Sequence, residues 1–344
     1  MVSFRLGGSD GVSIEAAKWA AALTTLGWQV DTVAGDGVAG TVLPGLAMDA
    51  SEPPTRAELD DALAAADLVV VENLCSLPLN AAAGRAVAEV CAGRPTVLHH
   101  HDLPWQRPQF ARLPPPADDA AWAHVTINEL SRRELAAHGI SAVTVYNAFD
   151  PSPPPGDRAA PRAAWGVADG TRLLLQPTRA LPRKGIALGL ALAEAVGGTY
   201  WLLGAAEDGY GPELDRLVRG ARCPVLLGSP APSAAVPIAD AYAACDAVLL
   251  PSTWEGFGNP SVESATHRRP LAIGPYPVAA ELAAFGFEWF AAAEPAALGR
   301  WLDSPGPGLL DRNQEVARTH FNLADLPARL TRVLGRVAGL PDAR

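Results

Sequence analysis

The chain has 344 residues, 49% of them apolar and 19% charged, with a formal net charge of −10; this length allows two domains with a core each, and the composition excludes disorder. Residues 1–150 carry 9 Lys and Arg against 18 Asp and Glu, which argues against docking on nucleic acid or anionic lipid, since both need concentrated positive charge. No apolar run approaches the roughly 18–20 residues of a membrane span, and the opening residues lack a basic region followed by a signal core, so a cytoplasmic protein is expected.

In chain order, Val2 to Leu6 reads as a strand, Ile14 to Leu26 as a helix and Gln29 to Val33 as the next strand. Further strands are predicted at Asp67 to Val71, Thr96 to Leu98, His124 to Ile127 and Ala142 to Tyr146, with helices near 81–92 and 130–138. Short apolar runs alternating with alanine-rich helices predict a parallel sheet covered on both faces. Residues 150–157 hold four prolines and a glycine, a stiff connection suited to an interdomain linker. The alternation then resumes. Strands are predicted at Arg172 to Gln176, Tyr200 to Leu203, Pro224 to Leu227, Ala247 to Leu250 and Leu271 to Ile273, and helices near 185–196, 212–220, 236–244, 260–268 and 309–338. Two such halves predict two doubly wound parallel-sheet domains, with a cleft between the carboxyl ends of their strands.

The first strand is followed by Gly7-Gly8-Ser9-Asp10-Gly11-Val12-Ser13. It contains no Gly-x-Gly-x-x-Gly, which disfavours a dinucleotide site. Cys75, Cys91, Cys223 and Cys245 are scattered and read as reduced thiols rather than a disulfide frame or zinc site. Thr96 to Arg107 runs Thr-Val-Leu-His-His-His-Asp-Leu-Pro-Trp-Gln-Arg. On a continuing strand, His99 and His101 share one face and His100 takes the other. A metal held by His99, His101 and Asp102 is conceivable, but the spacing is not diagnostic. Trp105 can stack on a ligand's ring or serve as a packing anchor, and Arg107 can hold a carboxylate or phosphate or stand at the surface.

Two loops of the second half carry the strongest chemistry. Only Lys18 and Lys184 are lysines, which singles out Pro177-Thr178-Arg179-Ala180-Leu181-Pro182-Arg183-Lys184-Gly185. Arg179 and Lys184 can neutralise a diphosphate, the first by a planar two-pronged contact, the second as a movable point charge. As loop side chains they are expected to be exposed; alone, the stretch also fits a solvated basic turn. Downstream comes Pro251-Ser252-Thr253-Trp254-Glu255-Gly256-Phe257-Gly258-Asn259-Pro260-Ser261-Val262-Glu263, a strand, glycine turn and helix with Glu255 and Glu263 eight positions apart. Asn259 offers a helix N-cap oxygen, Pro260 suits the first helical position, and the helix N-terminus offers N–H groups to oxygen or phosphate. An ordinary turn with two surface carboxylates is the plainer reading of this stretch taken alone.

In this order the motifs resemble retaining glycosyltransferases of family four, which have the GT-B fold. The resemblance spans nearly the whole chain and is most specific over 171–275. It implies an acceptor-side Rossmann-like domain at 1–150, a nucleotide-sugar-binding one at 151–308, and helices at 309–344 that cross back to the first domain. It implies that Arg179 and Lys184 hold the diphosphate, that Glu255 and the backbone of Phe257, Gly258 and Asn259 orient the sugar, and that Glu263 takes the ribose. Ser261 and Val262 would add helix N-terminal amides, and the Gly11 amide would face the donor phosphate, with Asp10 replacing the family's first glycine. His101 would lie near the donor sugar, with Asp102, Trp105 and Arg107 on the acceptor side. Asn128 and the stretch 145–150 are weaker echoes. Arg268 stands where the family expects glycine, and Glu281 is the candidate for the acid of a poorly kept loop.

The activity so implied is metal-independent transfer of a hexose from a nucleoside diphosphate sugar to a soluble acceptor, with retention of configuration and no cofactor. The leaving phosphate accepts the acceptor's proton, so no protein base is named. A phosphorylase, a coupling enzyme forming a non-glycosidic bond, or a silent nucleotide-sugar-binding subunit can share the fold and donor site.

Overall fold

The computed structural model describes residues 1–8, 10–230 and 235–338. Ser9 of the first loop and residues 339–344 of the terminal segment therefore lie outside the described residues. The chain forms two compact units, Met1–Ala148 with the residues from Leu323 onward, and Phe149–Asn322. The proline-rich stretch 150–157 opens the second unit.

The first unit carries seven strands: β1 (Val2–Leu6), β2 (Val33–Gly37), β3 (Thr41–Val42), β4 (Val69–Glu72), β5 (Thr96–His100), β6 (Trp122–Thr126) and β7 (Ala142–Thr144). All pair in parallel, in the order β3-β2-β1-β4-β5-β6-β7. Every residue of β4, β5 and β6 is buried, as a sheet covered on both faces requires. The two-residue period sorts them. Val69, Val71 and Leu98 join Leu59 and Val87 in one core, while Val70, Val97 and Val125 meet Trp19 and Leu23 in the other. The second core also holds Leu326, Leu330 and Val333, so the helix Leu326–Leu334 completes the first unit.

The second unit has β8 (Leu173–Gln176), β9 (Thr199–Leu202), β10 (Val225–Leu227), β11 (Ala247–Leu250), β12 (Leu271–Ile273) and β13 (Phe290–Ala291). They too are parallel, in the order β10-β9-β8-β11-β12-β13. Strand order reverses at β1/β4 in the first sheet and at β8/β11 in the second, the positions where loops part and ligands bind.

Several sequence expectations need correction. The second strand was expected at Gln29 to Val33 and starts at Val33, because Val33 and Ala34 are the first buried pair in that stretch. Helices at Arg56–Ala62, Ala159–Trp165, Pro277–Ala283 and Pro295–Asp303 escaped the reading; each is only two to three turns long, too short to display a helical period. The terminal segment is two helices. Pro307–His320 belongs to the second unit, and only the chain from Leu323 returns to the first.

Candidate active site

The loops after β8 and β11 leave the second sheet from adjacent strands at its switch point. They are in backbone contact. Gly185 has φ +64°, and a Cβ there would lie 2.2 Å from the Pro251 carbonyl oxygen; only glycine combines that conformation with that approach. The Thr253 N–H donates to the Arg183 carbonyl at 2.9 Å, and Gln176, held by the Tyr200 hydroxyl at 2.7 Å, donates to the Lys184 carbonyl at 2.9 Å.

This framework carries a buried charge cluster. Lys184 Nζ donates to Glu255 Oε1 and Oε2 at 2.6 and 2.7 Å. Arg183 donates to Glu255 Oε2 at 3.2 Å and to the Trp254 carbonyl at 3.1 Å, and Ser252 Oγ donates to Glu255 Oε1 at 2.6 Å. Burial pushes the Glu255 carboxyl up, but the charges of Lys184 and Arg183 and the bonds from Lys184 and Ser252 outweigh it and hold it below its ordinary value. Burial likewise lowers the Lys184 ammonium despite Glu255. Lys184 is 8% exposed and Glu255 6%, so Lys184 is not the exposed loop cation that its position suggested. Arg179 is half-buried, and its guanidinium meets Glu207 at 2.5 Å. It acts on Lys184 only through its charge. The two expected cations are thus each paired with a different carboxylate.

The glutamates also separate. Glu263 Oε2 accepts from the buried Tyr242 hydroxyl at 2.7 Å, and Tyr242 stacks on His267 at 4.6 Å. Phe257 is buried among Phe149 and Phe321. Gly258, φ +88°, leaves room for the Tyr276 hydroxyl, which donates to the Phe257 carbonyl. Asn259 does not cap its helix as expected. Its own backbone is already helical, and its side chain makes no cap bond. The amides of Ser261 and Val262, expected to face the ligand, donate to the carbonyls of Gly258 and Asn259 at 2.8 and 3.0 Å. The first helical turn has closed on itself.

In the first unit Gly11 opens the helix Gly11–Thr25 and Asp10 caps it. The Asp10 carboxylate accepts from Ser13 N at 3.1 Å, Ser13 Oγ at 2.8 Å and Arg5 at 3.3 Å. An anionic cap now stands beside the amide expected to meet a phosphate. Glu72 closes β4, and His99 Nδ1 on β5 and His101 Nε2 just after it both face Glu72 Oε2, at 2.8 and 3.0 Å. His99 stacks on Trp19 at 4.0 Å, and His101 lies 4.4 Å from His99. His100 faces the opposite way, in a chain running from Ser76 through His100 and His124 to Asp118. Arg107 pairs with Asp102 at 3.1 Å. The Trp105 ring is stacked on His138 and its N–H donates to Glu134, so the side chain, half-buried, packs against the helix Glu129–Ala137 and its C-cap.

Among the described residues, Glu72, His99 and His101 are the group that could hold a metal ion, and two imidazoles with a carboxylate are a set that zinc or ferrous iron accepts. The spacing suits N–H···O hydrogen bonds. Ligands of a tetrahedral zinc with bonds of about 2.1 Å stand roughly 3.4 Å apart.

Sequence reasoning missed Glu72, Arg183, Tyr242 and Glu207. Glu72 was legible in part, as a carboxylate closing the buried run of β4. Tyr242 carried no signal, because its contact to Glu263 spans 21 positions between different helices.

No family model matches the chain. The relatives and structural neighbours are glycosyltransferases of the GT-B type, and the chain has that fold. It is 27% identical to mannosylglucosylglycerate synthase from Thermotoga maritima, over 81% of this chain and 80% of that protein. The protein of the same name from Petrotoga mobilis is 25% identical, over 84% and 85%. Among solved structures, Anabaena Alr3699/HepE in complex with UDP-glucose superposes with a TM-score of 0.73 at 19% identity, over 97% and 99% of the two chains. Sucrose-phosphate synthase from Thermosynechococcus elongatus gives 0.71 at 15%, over 97% and 95%. The two relatives, from Thermotoga maritima and Petrotoga mobilis, support a transferase.

Proposed function

We propose that this protein is a retaining, metal-independent glycosyltransferase of family four, moving a hexose from a nucleoside diphosphate sugar to a small soluble acceptor. The observation that carries the reading is the buried Lys184–Glu255 pair, joined by the half-buried Arg183, at the switch point of the second sheet. The difficult step is departure of the diphosphate while positive charge grows on the sugar carbon, and fixed cations facing the leaving group lower that barrier. A carboxylate offers about four lone-pair directions. Those of Glu255 are taken by Lys184 twice, Arg183 and Ser252. A diphosphate that draws Arg183 away therefore opens one direction on Glu255 for a sugar hydroxyl, so donor charge and sugar are read together. Arg179 supplies a further cation once released from Glu207, and Glu263, oriented by Tyr242, takes the ribose. His101 meets a substrate hydroxyl.

The donor bound by HepE, UDP-glucose, and the relatives' product, with its mannosyl, glucosyl and glycerate parts, favour a hexose donor and a small acceptor bearing a carboxylate. No described helix is long and apolar enough to cross a membrane. The test is a thermal scan with UDP, GDP, ADP and TDP in chelator, followed by incubation with the matching sugar nucleotides. One nucleotide at a hundred times its dissociation constant adds about 2.7 kcal/mol, and product NMR shows the donor's anomeric configuration kept. A shift only with manganese, or an inverted product, sinks the reading. Release that requires inorganic phosphate identifies a phosphorylase, and binding without any sugar release a silent subunit.

A further inference from the structure

The carboxylate at the end of β4 has no place in the donor chemistry, yet it is fully buried and takes two imidazoles on one oxygen. Its other oxygen, Oε1, and His99 Nε2 have no hydrogen-bond partner, an arrangement that a fold selected for stability alone would avoid. The backbone is fixed to match. Asn73 adopts φ 57°, and its side-chain oxygen accepts from the amides of both His101 and Asp102, at 3.1 and 3.2 Å. His99, pinned between Trp19 and the His101 ring, fills the remaining space and takes the second bond to Glu72.

We infer that Glu72 is a positioning residue: it holds the His101 imidazole with the proton on Nε2, so that Nδ1 presents a lone pair to a hydroxyl of the substrate. The reasoning is one of hydrogen-bond polarity. An ionised carboxylate only accepts, so the imidazole nitrogen facing it must be the N–H. A neutral ring then has one nitrogen left, and that nitrogen can only accept. His101 therefore takes a hydrogen bond from the hydroxyl and leaves its oxygen lone pairs available to other donors. His99 makes the same bond through Nδ1, and its Nε2 faces no donor. The two rings are a working and a supporting imidazole on one carboxylate. The inference rests on the reading that His101 meets a substrate hydroxyl.

The first measurement needs no substitution at Glu72. In 15N-histidine-labelled wild-type protein at neutral pH, with His101 assigned by its loss in His101→Asn, Nε2 should be protonated and Nδ1 unprotonated. A proton on Nδ1, or on both nitrogens, overturns the inference, and so does a zinc-induced shift of the His99 and His101 resonances at stoichiometric metal. The second is kinetic. Glu72→Leu removes the acceptor and should cost roughly 10–100-fold in kcat, the loss seen when a partner that orients a metal-bound imidazole is removed. Glu72→Gln keeps an oxygen acceptor and should restore most of that loss. Glu72→Leu combined with His101→Ala should be no slower than His101→Ala alone, since both act through one ring. Wild-type turnover in folded Glu72→Leu overturns the inference. Whether Arg179→Ala still loses turnover in the same assay then shows if the donor-site reading stands without it.

Discussion

At the scale of single residues, the two cations of the loop after β8 differ in kind. Arg179 and Glu207 are 38% and 43% exposed along their side chains, and such surface pairs contribute about 0–1 kcal/mol. Lys184 and Glu255 are buried and doubly bonded, and removing one partner of such a pair typically costs about 3–5 kcal/mol, because the other charge is stranded. Arg179→Ala should therefore melt within a few degrees of wild type yet lose roughly 10²–10³ in kcat, the range for a lost transition-state stabiliser. Lys184→Ala should lose both stability and turnover. Combining Lys184→Met with Glu255→Gln should recover most of the stability and none of the turnover. Urea denaturation and single-donor kinetics on the four proteins decide it. A double variant no more stable than Lys184→Ala would show that burial of the charge is not the cause.

At the scale of elements, two left-handed positions border the candidate site and make opposite predictions. Gly185 joins the turn Pro182–Lys184 to the helix Ile186–Ala195, with the Pro251 carbonyl where a Cβ would stand. Gly185→Ala should cost about 2–4 kcal/mol from strain and overlap, and should lower kcat by parting the loops that hold Lys184 and Glu255 together. Arg268 ends the helix Pro260–Thr266. Its N–H donates to the Ala265 carbonyl and that of Arg269 to Ser264, which is the Schellman pattern that usually has glycine at this position. Arg268 adopts φ 54° and is held by Asp311 and Gln314. The glycine that this conformation favours is absent, but the conformation remains. Arg268→Gly relieves about 1 kcal/mol of left-handed strain and loses surface contacts of similar worth, so stability should move by less than about 1 kcal/mol with turnover unchanged. A Gly185→Ala protein as stable as Arg268→Gly would refute the close-approach argument.

At the scale of the molecule, the first unit stores an acid sensitivity in its histidines. Burial lowers His99, His100 and His124 below the ordinary histidine value. In the unfolded chain these groups take up protons as pH falls through about 6.5, whereas the folded unit resists until lower pH. Stability is thus complete above 6.5 and is lost on acidification below it, by up to about 1.4 kcal/mol per histidine per pH unit. Glu72, which burial raises but His99 and His101 hold down at about 2, acts in a lower window, between its ordinary value and 2. Melting temperature should be flat from pH 8 to 7 and fall by on the order of 5–10 °C by pH 5.5. A scan that stays level to pH 5.5 would mean that the histidines are charged in the folded protein or that their burial is relaxed in solution.

The sequence by itself determined two parallel sheets, most of their strands, and the two loops that carry Lys184 and Glu255, because apolar period, glycine turns and proline positions are local signals. The carboxyl ends of β8 and β11 follow directly from chain order and the rules of βαβ connection. The partners of those residues were decided by tertiary structure. That Lys184 is buried on Glu255 while Arg179 turns to Glu207, that Tyr242 orients Glu263, and that Glu72 gathers His99 and His101 are contacts across 21 to 71 positions. Such contacts depend on strand order and on which side chains lose water together, and neither is written in any local stretch. The same holds for Asn259, a favourable N-cap by type, whose place is overridden because the glycine turn before it already closes the first helical turn on the carbonyl of Gly258.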